Sequence, residues 1–147
     1  MAVKIVRNAQ ASWSGTVPDG GGRIALGSGA FEGPFTLRAR VEDGQKGANP
    51  EELIGLGNAA CFTMSLADLL STEGHPPDDL QTDARVHLEQ TDTGWSITLI
   101  ELHTTGTVEG VDAATFERLA EQAKATCPVS RALAGTQITL VAELVPN

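Results

Sequence analysis

A long segment with almost no polar face, from Asn49 to Leu70, constrains the fold of this chain most. Asn49 is a favourable N-cap, Pro50 suits the first helical position, and Glu52 follows at the third, so a helix begins here. A helix that is apolar nearly all round is typical of a buried, central element. Its two early glycines would each weaken an exposed helix by about 1 kcal/mol, which predicts close packing against another backbone.

The chain has two cysteines, and one of them, Cys61, lies in the middle of this helix. The other, Cys127, precedes Pro128 at the end of a second helical pattern. A cysteine on a buried helix is usually a small core hydrophobe, which is the simplest interpretation of both. If Pro128 opens a new helix, free backbone amides and the helix dipole favour a thiolate at Cys127. Two thiols beside a cation would support redox chemistry.

Length and composition limit the range of functions. A chain of 147 residues predicts one domain over residues 1–147. The formal charge of −9 argues against nucleic acid and anionic membrane surfaces as partners. The weakly charged stretch 53–67 is too short to span a bilayer, and the first residues lack the apolar core of a signal peptide, so we expect a cytoplasmic protein. No spacing of Cys, His, Asp and Glu resembles a metal site.

Alternating and turn-forming residues predict strands on both sides of the helix. Before it we expect an antiparallel meander of segments 3–7 with 9–13, 23–26 and 35–41, with a loop at 18–22. After it we expect a hairpin of 83–89 and 95–102 around Thr93-Gly94, and a closing strand at 137–143. Asp112 caps a second helix, and a short third helix runs from Pro128 to Leu133. The pattern predicts an α+β fold with segregated elements.

Two charged side chains, Arg40 and Glu51, are candidates for a site around the thiols. In the predicted strand 35–41, Arg40 lies on the polar face, where most arginines are merely solvated. Its functional interpretation is an arginine near a thiolate, aimed by a carboxylate. Glu51 precedes Cys61 by ten residues, which is a rise of about 15 Å on a straight helix. If both belong to one site, a second copy of the chain must supply one of them.

The segments around the cysteines resemble a known family. Residues 47–55 (Gly-Ala-Asn-Pro-Glu-Glu-Leu-Ile-Gly) and 58–62 (Asn-Ala-Ala-Cys-Phe) closely resemble the first cysteine segment of the OsmC/Ohr family of thiol-dependent peroxidases. Residues 123–130 (Ala-Lys-Ala-Thr-Cys-Pro-Val-Ser) are similar to its second cysteine segment. The resemblance covers nearly the whole chain. The Pro-Glu-Glu-Leu-Ile-Gly run resembles the OsmC branch more than the Ohr branch.

This resemblance implies an OsmC-like intertwined homodimer, in which antiparallel sheets wrap around two central helices that carry the cysteines. Cys61 matches the peroxidatic cysteine and Cys127 the resolving one. Arg40 matches the arginine that activates the thiolate, with Arg38 two residues away as the alternative. Glu51 matches the glutamate that orients this arginine. No metal, haem, flavin or other cofactor is implied.

The implied reaction is the reduction of a hydroperoxide. The Cys61 thiolate becomes a sulfenic acid, Cys127 condenses with it, and a Cys61–Cys127 disulfide forms. An external thiol or dithiol, such as a lipoyl protein, then reduces the disulfide. Apolar neighbours such as Leu56, Phe62 and Met64 would suit an organic hydroperoxide, with hydrogen peroxide as a further substrate. The alternative is a stress protein of this fold without catalysis, acting as a binding domain or redox sensor.

Overall fold

The computed structural model describes residues 2–146, and the chain divides into two compact units, Met1–Leu53 and Ile54–Asn147. A single domain over residues 1–147 stays a prediction. One helix, α2 (Pro50–Thr72), runs from the end of the first unit into the second.

The first unit is built on a three-stranded antiparallel sheet, ordered β1-β2-β3. Its strands are β1 (Ala9–Ser14), β2 (Gly21–Leu26) and β3 (Glu32–Phe35). The predicted strands at 9–13 and 23–26 are therefore confirmed, whereas segment 3–7 forms no strand. The predicted loop at 18–22 is confirmed only for residues 18–20, because the last two glycines already belong to β2.

The predicted strand 35–41 is wrong, and this changes the setting of Arg40. β3 ends at Phe35, and a short helix, α1 (Leu37–Val41), follows. The cause is Thr36, whose side chain caps the helix by accepting a hydrogen bond from the backbone N–H of Ala39 at 3.1 Å. A helix turns about 100° per residue, so Arg38 and Arg40 point in nearly opposite directions instead of sharing a strand face.

α2 begins where the sequence predicts. The Asn49 side chain accepts the backbone N–H of Glu52 at 2.8 Å, which confirms the cap. The helix ends at Thr72, and Gly74 beyond it adopts the left-handed conformation, with φ of 89°. The His75 N–H then bonds back to the Leu70 carbonyl at 2.8 Å, which closes the helix end.

Within one chain, α2 is buried on one face and exposed on another. Phe62, Leu66 and Leu70 on one face are fully buried, but Leu56 and Met64 are 67% and 76% exposed. By length and composition alone, α2 could also cross a bilayer, which corrects the expectation of a stretch too short to do so. The core helix of a globular protein has the same composition, and the fully buried face of α2 fits that description.

The second unit holds a mixed sheet with β5 in the centre. β4 (Asp79–Thr91) and β5 (Gly94–Thr107) form the predicted hairpin, longer at both ends than expected. β6 (Gln137–Leu144) pairs with β5 in parallel, so the expectation of wholly antiparallel sheets is wrong here. The helices α3 (Ala113–Thr126) and α4 (Pro128–Ala132) lie between these strands in sequence and carry the chain back for parallel pairing. The α+β class is confirmed.

The core of the second unit lies between α2, α3 and this sheet. Leu66, Ile100, Phe116 and Leu119 are fully buried in it, and Asp112 caps α3 by accepting the Thr115 N–H at 2.7 Å. The glycines of α2 behave differently from each other. A Cβ on Gly55 would lie 3.1 Å from the side chain of Val86 in β4, which confirms close packing there, although against side chains. A Cβ on Gly57 would meet nothing within 4 Å, so close packing is not found there.

Candidate active site

The second unit brings the two cysteines together. α2 carries Cys61, and Cys127 sits at the junction where α3 ends and α4 begins. Both are free thiols; Cys61 is partly exposed and Cys127 is fully buried. The two thiols are close enough that each alters the pKa of the other. Pro128 fixes the junction, because proline cannot continue α3 and fits the first position of α4.

The surroundings of Cys61 in one chain disfavour its thiolate. Burial raises the pKa of the Cys61 thiol, and the neighbouring Cys127 thiol raises it further. The backbone N–H of Val129 and the hydroxyl of Ser65 oppose this shift without cancelling it. A peroxidatic role would need the thiolate form, which these surroundings make less favourable.

The surroundings of Cys127 act in the opposite direction. Burial opposes ionisation of this thiol, yet its pKa lies below the ordinary value. The backbone N–H of Ser130, the thiol of Cys61 and the hydroxyl of Ser130 all favour its thiolate. Within one chain, therefore, the negative charge is favoured on the cysteine that the family resemblance assigns to the resolving step.

The first unit holds the predicted cation in a tight ion pair. Arg40 Nε donates to Glu51 Oε1 and Oε2 at 3.0 and 3.2 Å, and Arg40 Nη2 donates to Oε1 at 2.7 Å. The Glu51 side chain is 9% exposed and that of Arg40 42%, so the pair lies at the edge of the unit. The hydrogen bonds that Arg40 donates to Glu51 raise the pKa of Arg40 and keep it charged. Arg38 instead pairs with Glu42 at 3.1 Å on the exposed surface.

A small apolar groove opens beside Arg40. Its volume is about 190 Å³, and its lining residues are Trp13, Val17, Phe35, Thr36, Leu37, Arg40 and Pro50. The Trp13 and Phe35 rings pack with their centroids 5.2 Å apart. An apolar groove with one guanidinium at its edge suits a molecule with a hydrocarbon part and a polar oxygen end.

This groove was not predicted from the sequence, which instead indicated residues of α2 as the apolar neighbours of a hydroperoxide. Of the residues it named, Phe62 is fully buried, while Leu56 and Met64 lie on the exposed face. The available signal was Trp13, an aromatic residue in a chain with few of them.

A polar pair next to the thiols was also missed. Asn58 in α2 is fully buried, and its Nδ2 donates to Ser130 Oγ in α4 at 2.8 Å. Asn58 stands out in the sequence as an amide in an otherwise apolar helical stretch. Its partner is 72 positions away, so the contact itself has no sequence signal.

With this geometry in place, comparison with known proteins gives the class. The family described as OsmC-like protein matches residues 43–141, a range that contains both cysteines and Glu51. The chain is 42% identical over 137 residues to Peroxiredoxin OsmC of Escherichia coli, covering 92% of this chain and 94% of that protein. It therefore belongs to the OsmC/Ohr family.

More distant relatives agree with this placement. The organic hydroperoxide resistance protein OhrA of Bacillus subtilis is 35% identical over 69% of this chain and 70% of its own length. A crystal structure of an organic hydroperoxide resistance protein from Elizabethkingia anophelis has the same fold. Its TM-score is 0.76 at 24% identity, with all of both chains covered. The identity is higher to OsmC than to OhrA, as the Pro-Glu-Glu-Leu-Ile-Gly run indicates.

Proposed function

We propose that this chain is a two-cysteine, thiol-dependent peroxidase that reduces organic hydroperoxides. The observation that carries the proposal is the pair of free thiols, Cys61 and Cys127, which lie in one packed core and alter each other's pKa. Its relatives named peroxiredoxin and organic hydroperoxide resistance protein support the same chemistry. We further propose a cytoplasmic protein that acts in oxidative or osmotic stress.

The chemistry uses only sulfur and oxygen. The Cys61 thiolate attacks the distal oxygen of the hydroperoxide, the O–O bond breaks, and an alcohol leaves as Cys61 becomes a sulfenic acid. The Cys127 sulfur then attacks the sulfenic sulfur, the S–O bond breaks, and water leaves after protonation. A thiol or dithiol, such as a lipoyl protein, supplies two electrons and reopens the disulfide.

The first step needs the Cys61 thiolate, which burial and the neighbouring thiol make less favourable in one chain. We propose that Arg40 and Glu51 of a second copy complete the site in a homodimer. The ten-residue separation of Glu51 and Cys61 on α2 supports this, since a helical rise of about 15 Å keeps them apart in one chain. The exposed Leu56 and Met64 also support it, because a partner would cover them.

Arg40 is well suited to this role. Glu51 accepts from Nε and Nη2, so part of the five-donor guanidinium stays available for a thiolate and a peroxide oxygen. The fixed fork also has its orientation set before the peroxide arrives, which lowers the reorganisation needed in the transition state. The apolar groove beside Arg40 would hold the hydrocarbon part of the hydroperoxide.

The test is a single-turnover reaction. The reduced protein is mixed with one equivalent of cumene hydroperoxide, and its thiols are mapped by mass spectrometry. We expect a rapid Cys61–Cys127 disulfide that a dithiol reopens and fresh peroxide forms again. Two untouched thiols, or oxidation only over hours, would contradict the proposal.

A redox sensor or non-catalytic binding protein is the second candidate. The observation that favours it is the raised pKa of Cys61, because a neutral, partly buried thiol reacts slowly with peroxide. Turnover separates the two functions, since a sensor needs one oxidation for each signal. Sustained consumption of cumene hydroperoxide in the presence of excess dithiothreitol identifies the enzyme.

A further inference from the structure

We propose that the buried hydrogen bond between Asn58 and Ser130 positions Cys127 against Cys61 and so governs closure of their disulfide. This inference rests on the proposed two-cysteine cycle and adds two positioning residues to it. Neither side chain needs to touch the hydroperoxide.

The bond joins the same two elements as the thiol pair. Asn58 precedes Cys61 by three residues on α2, so the two side chains lie on one helix face a turn apart. Ser130 follows Cys127 by three residues across the start of α4. The 2.8 Å bond from Asn58 Nδ2 to Ser130 Oγ is therefore a second tie between α2 and α4, one turn away from the thiols.

Burial of the polar Asn58–Ser130 pair costs free energy, so packing alone does not explain why these two residues are present. Asn58 is fully buried and Ser130 is 6% exposed. Among residues 2–146 the Oδ1 atom of Asn58 has no hydrogen-bond partner, which costs free energy that an apolar residue would not. If the amide were flipped, Asn58 Oδ1 would accept from the Ser130 hydroxyl. The Asn58 NH₂ group would then lose its acceptor.

The orientation of this bond suits the second chemical step. Because Ser130 Oγ accepts from Asn58, its own proton stays available for the Cys127 sulfur. That hydroxyl and the Ser130 backbone N–H both favour the Cys127 thiolate, which is the form that attacks the sulfenic acid. Disulfides also form only over a narrow range of Cα separations, about 4.4–6.8 Å, so a shift of α4 would slow closure.

The test separates the two steps of one turnover. Reduced protein is mixed with one equivalent of cumene hydroperoxide; peroxide loss reports the first step, and disulfide formation the second. Dimedone labelling of Cys61 measures the sulfenic acid that waits between them. We expect Ser130→Ala and Asn58→Leu each to slow closure about tenfold and to increase dimedone labelling.

Three further variants make the test specific. The double variant should close no more slowly than Ser130→Ala alone, because Asn58 acts through Ser130. Ser130→Thr keeps the hydroxyl and should close at the parental rate. Thr126→Ala is the matched control, since its hydroxyl bonds the Gln122 carbonyl on the exposed side of α3 and should leave closure unchanged.

The outcomes distinguish this inference from the proposed function. Parental closure in Ser130→Ala, or fully additive effects in the double variant, would overturn the positioning role. Ser130→Ala removes one oxygen atom only, so it keeps the test available if Asn58→Leu folds poorly. If the proposed function itself fails, the parent protein consumes no hydroperoxide, and no closure step exists to compare.

Discussion

The two units of this chain hold their reactive groups in opposite ways. In Ile54–Asn147 the groups are two thiols, and burial and hydrogen bonding shift their pKa values, upward for Cys61 and downward for Cys127. In Met1–Leu53 the groups are already charged, and Arg40 and Glu51 fix each other through three close contacts beside an open groove. One unit holds both cysteines, and the other holds the Arg40–Glu51 ion pair.

This difference has a consequence for reactivity. A peroxidatic thiol kept neutral in one chain is protected from unselective oxidation, because the thiolate is the form that reacts. The proposed homodimer would then create the thiolate only where Arg40 of the second copy is present.

Replacement of Cys61 removes the nucleophile itself. We expect Cys61→Ser to lose multiple-turnover peroxidase activity by more than about 1,000-fold, since a serine hydroxyl stays protonated and attacks peroxide poorly. The fold should persist, because the change is nearly isosteric at a partly exposed position. The measurement is peroxide consumption with excess dithiothreitol, together with circular dichroism. Cys127→Ser is the matched control, and without added thiol it should consume one equivalent of peroxide and trap the sulfenic acid.

Replacement of the cation is expected to cost less than loss of the nucleophile. Arg40→Lys keeps the charge but loses the planar fork, so we expect peroxide consumption to fall about 100-fold. Arg38→Lys is the control, because Arg38 pairs only with Glu42 on the exposed surface. Equal losses in both variants would assign no special role to the Arg40–Glu51 pair.

Mixed dimers test whether the two halves come from different chains. Cys61→Ser and Arg40→Met chains, each inactive alone, are unfolded together and refolded as an equimolar mixture. Half of the dimers are then mixed, and each holds one intact site of two, so activity should return to about a quarter of the parental value. No recovery would mean that each chain builds its own complete site.

The helices around the two thiols were largely predictable from sequence because their signals are local. Asn49, Asp112 and Pro128 fix helix starts within a few residues, and all three act as predicted. The parallel pairing of β6 with β5 was not predictable in this way, since strand direction depends on how a whole helical connection returns the chain.

Arg40 and Glu51 could be named as candidates from the sequence, but the helix that carries Arg40 could not be predicted. Segment 35–41 alternates as a strand does, and a single hydrogen bond from Ala39 to the Thr36 side chain decides for a helix. The Arg40–Glu51 contact then spans 11 positions across a loop, which no periodicity encodes. The Asn58–Ser130 hydrogen bond joins residues 72 positions apart, so no local sequence pattern indicates it.

The order in which the thiols ionise gives the finest test of the comparison. Thiolate absorbance at 240 nm is followed against pH in Cys61→Ser, which leaves Cys127, and in Cys127→Ser, which leaves Cys61. Without Arg40, in Arg40→Met backgrounds, we expect Cys127 to ionise at lower pH than Cys61, because the Ser130 backbone N–H and hydroxyl favour the Cys127 thiolate whereas burial raises the pKa of Cys61. With Arg40 in place, Cys61 should ionise at lower pH than it does in Arg40→Met, while Cys127 should be unaffected, because an opposite charge within a few ångströms favours the charged form. An unchanged Cys61 titration would leave Arg40 as a surface ion pair and would return Cys61 to the role of a core residue.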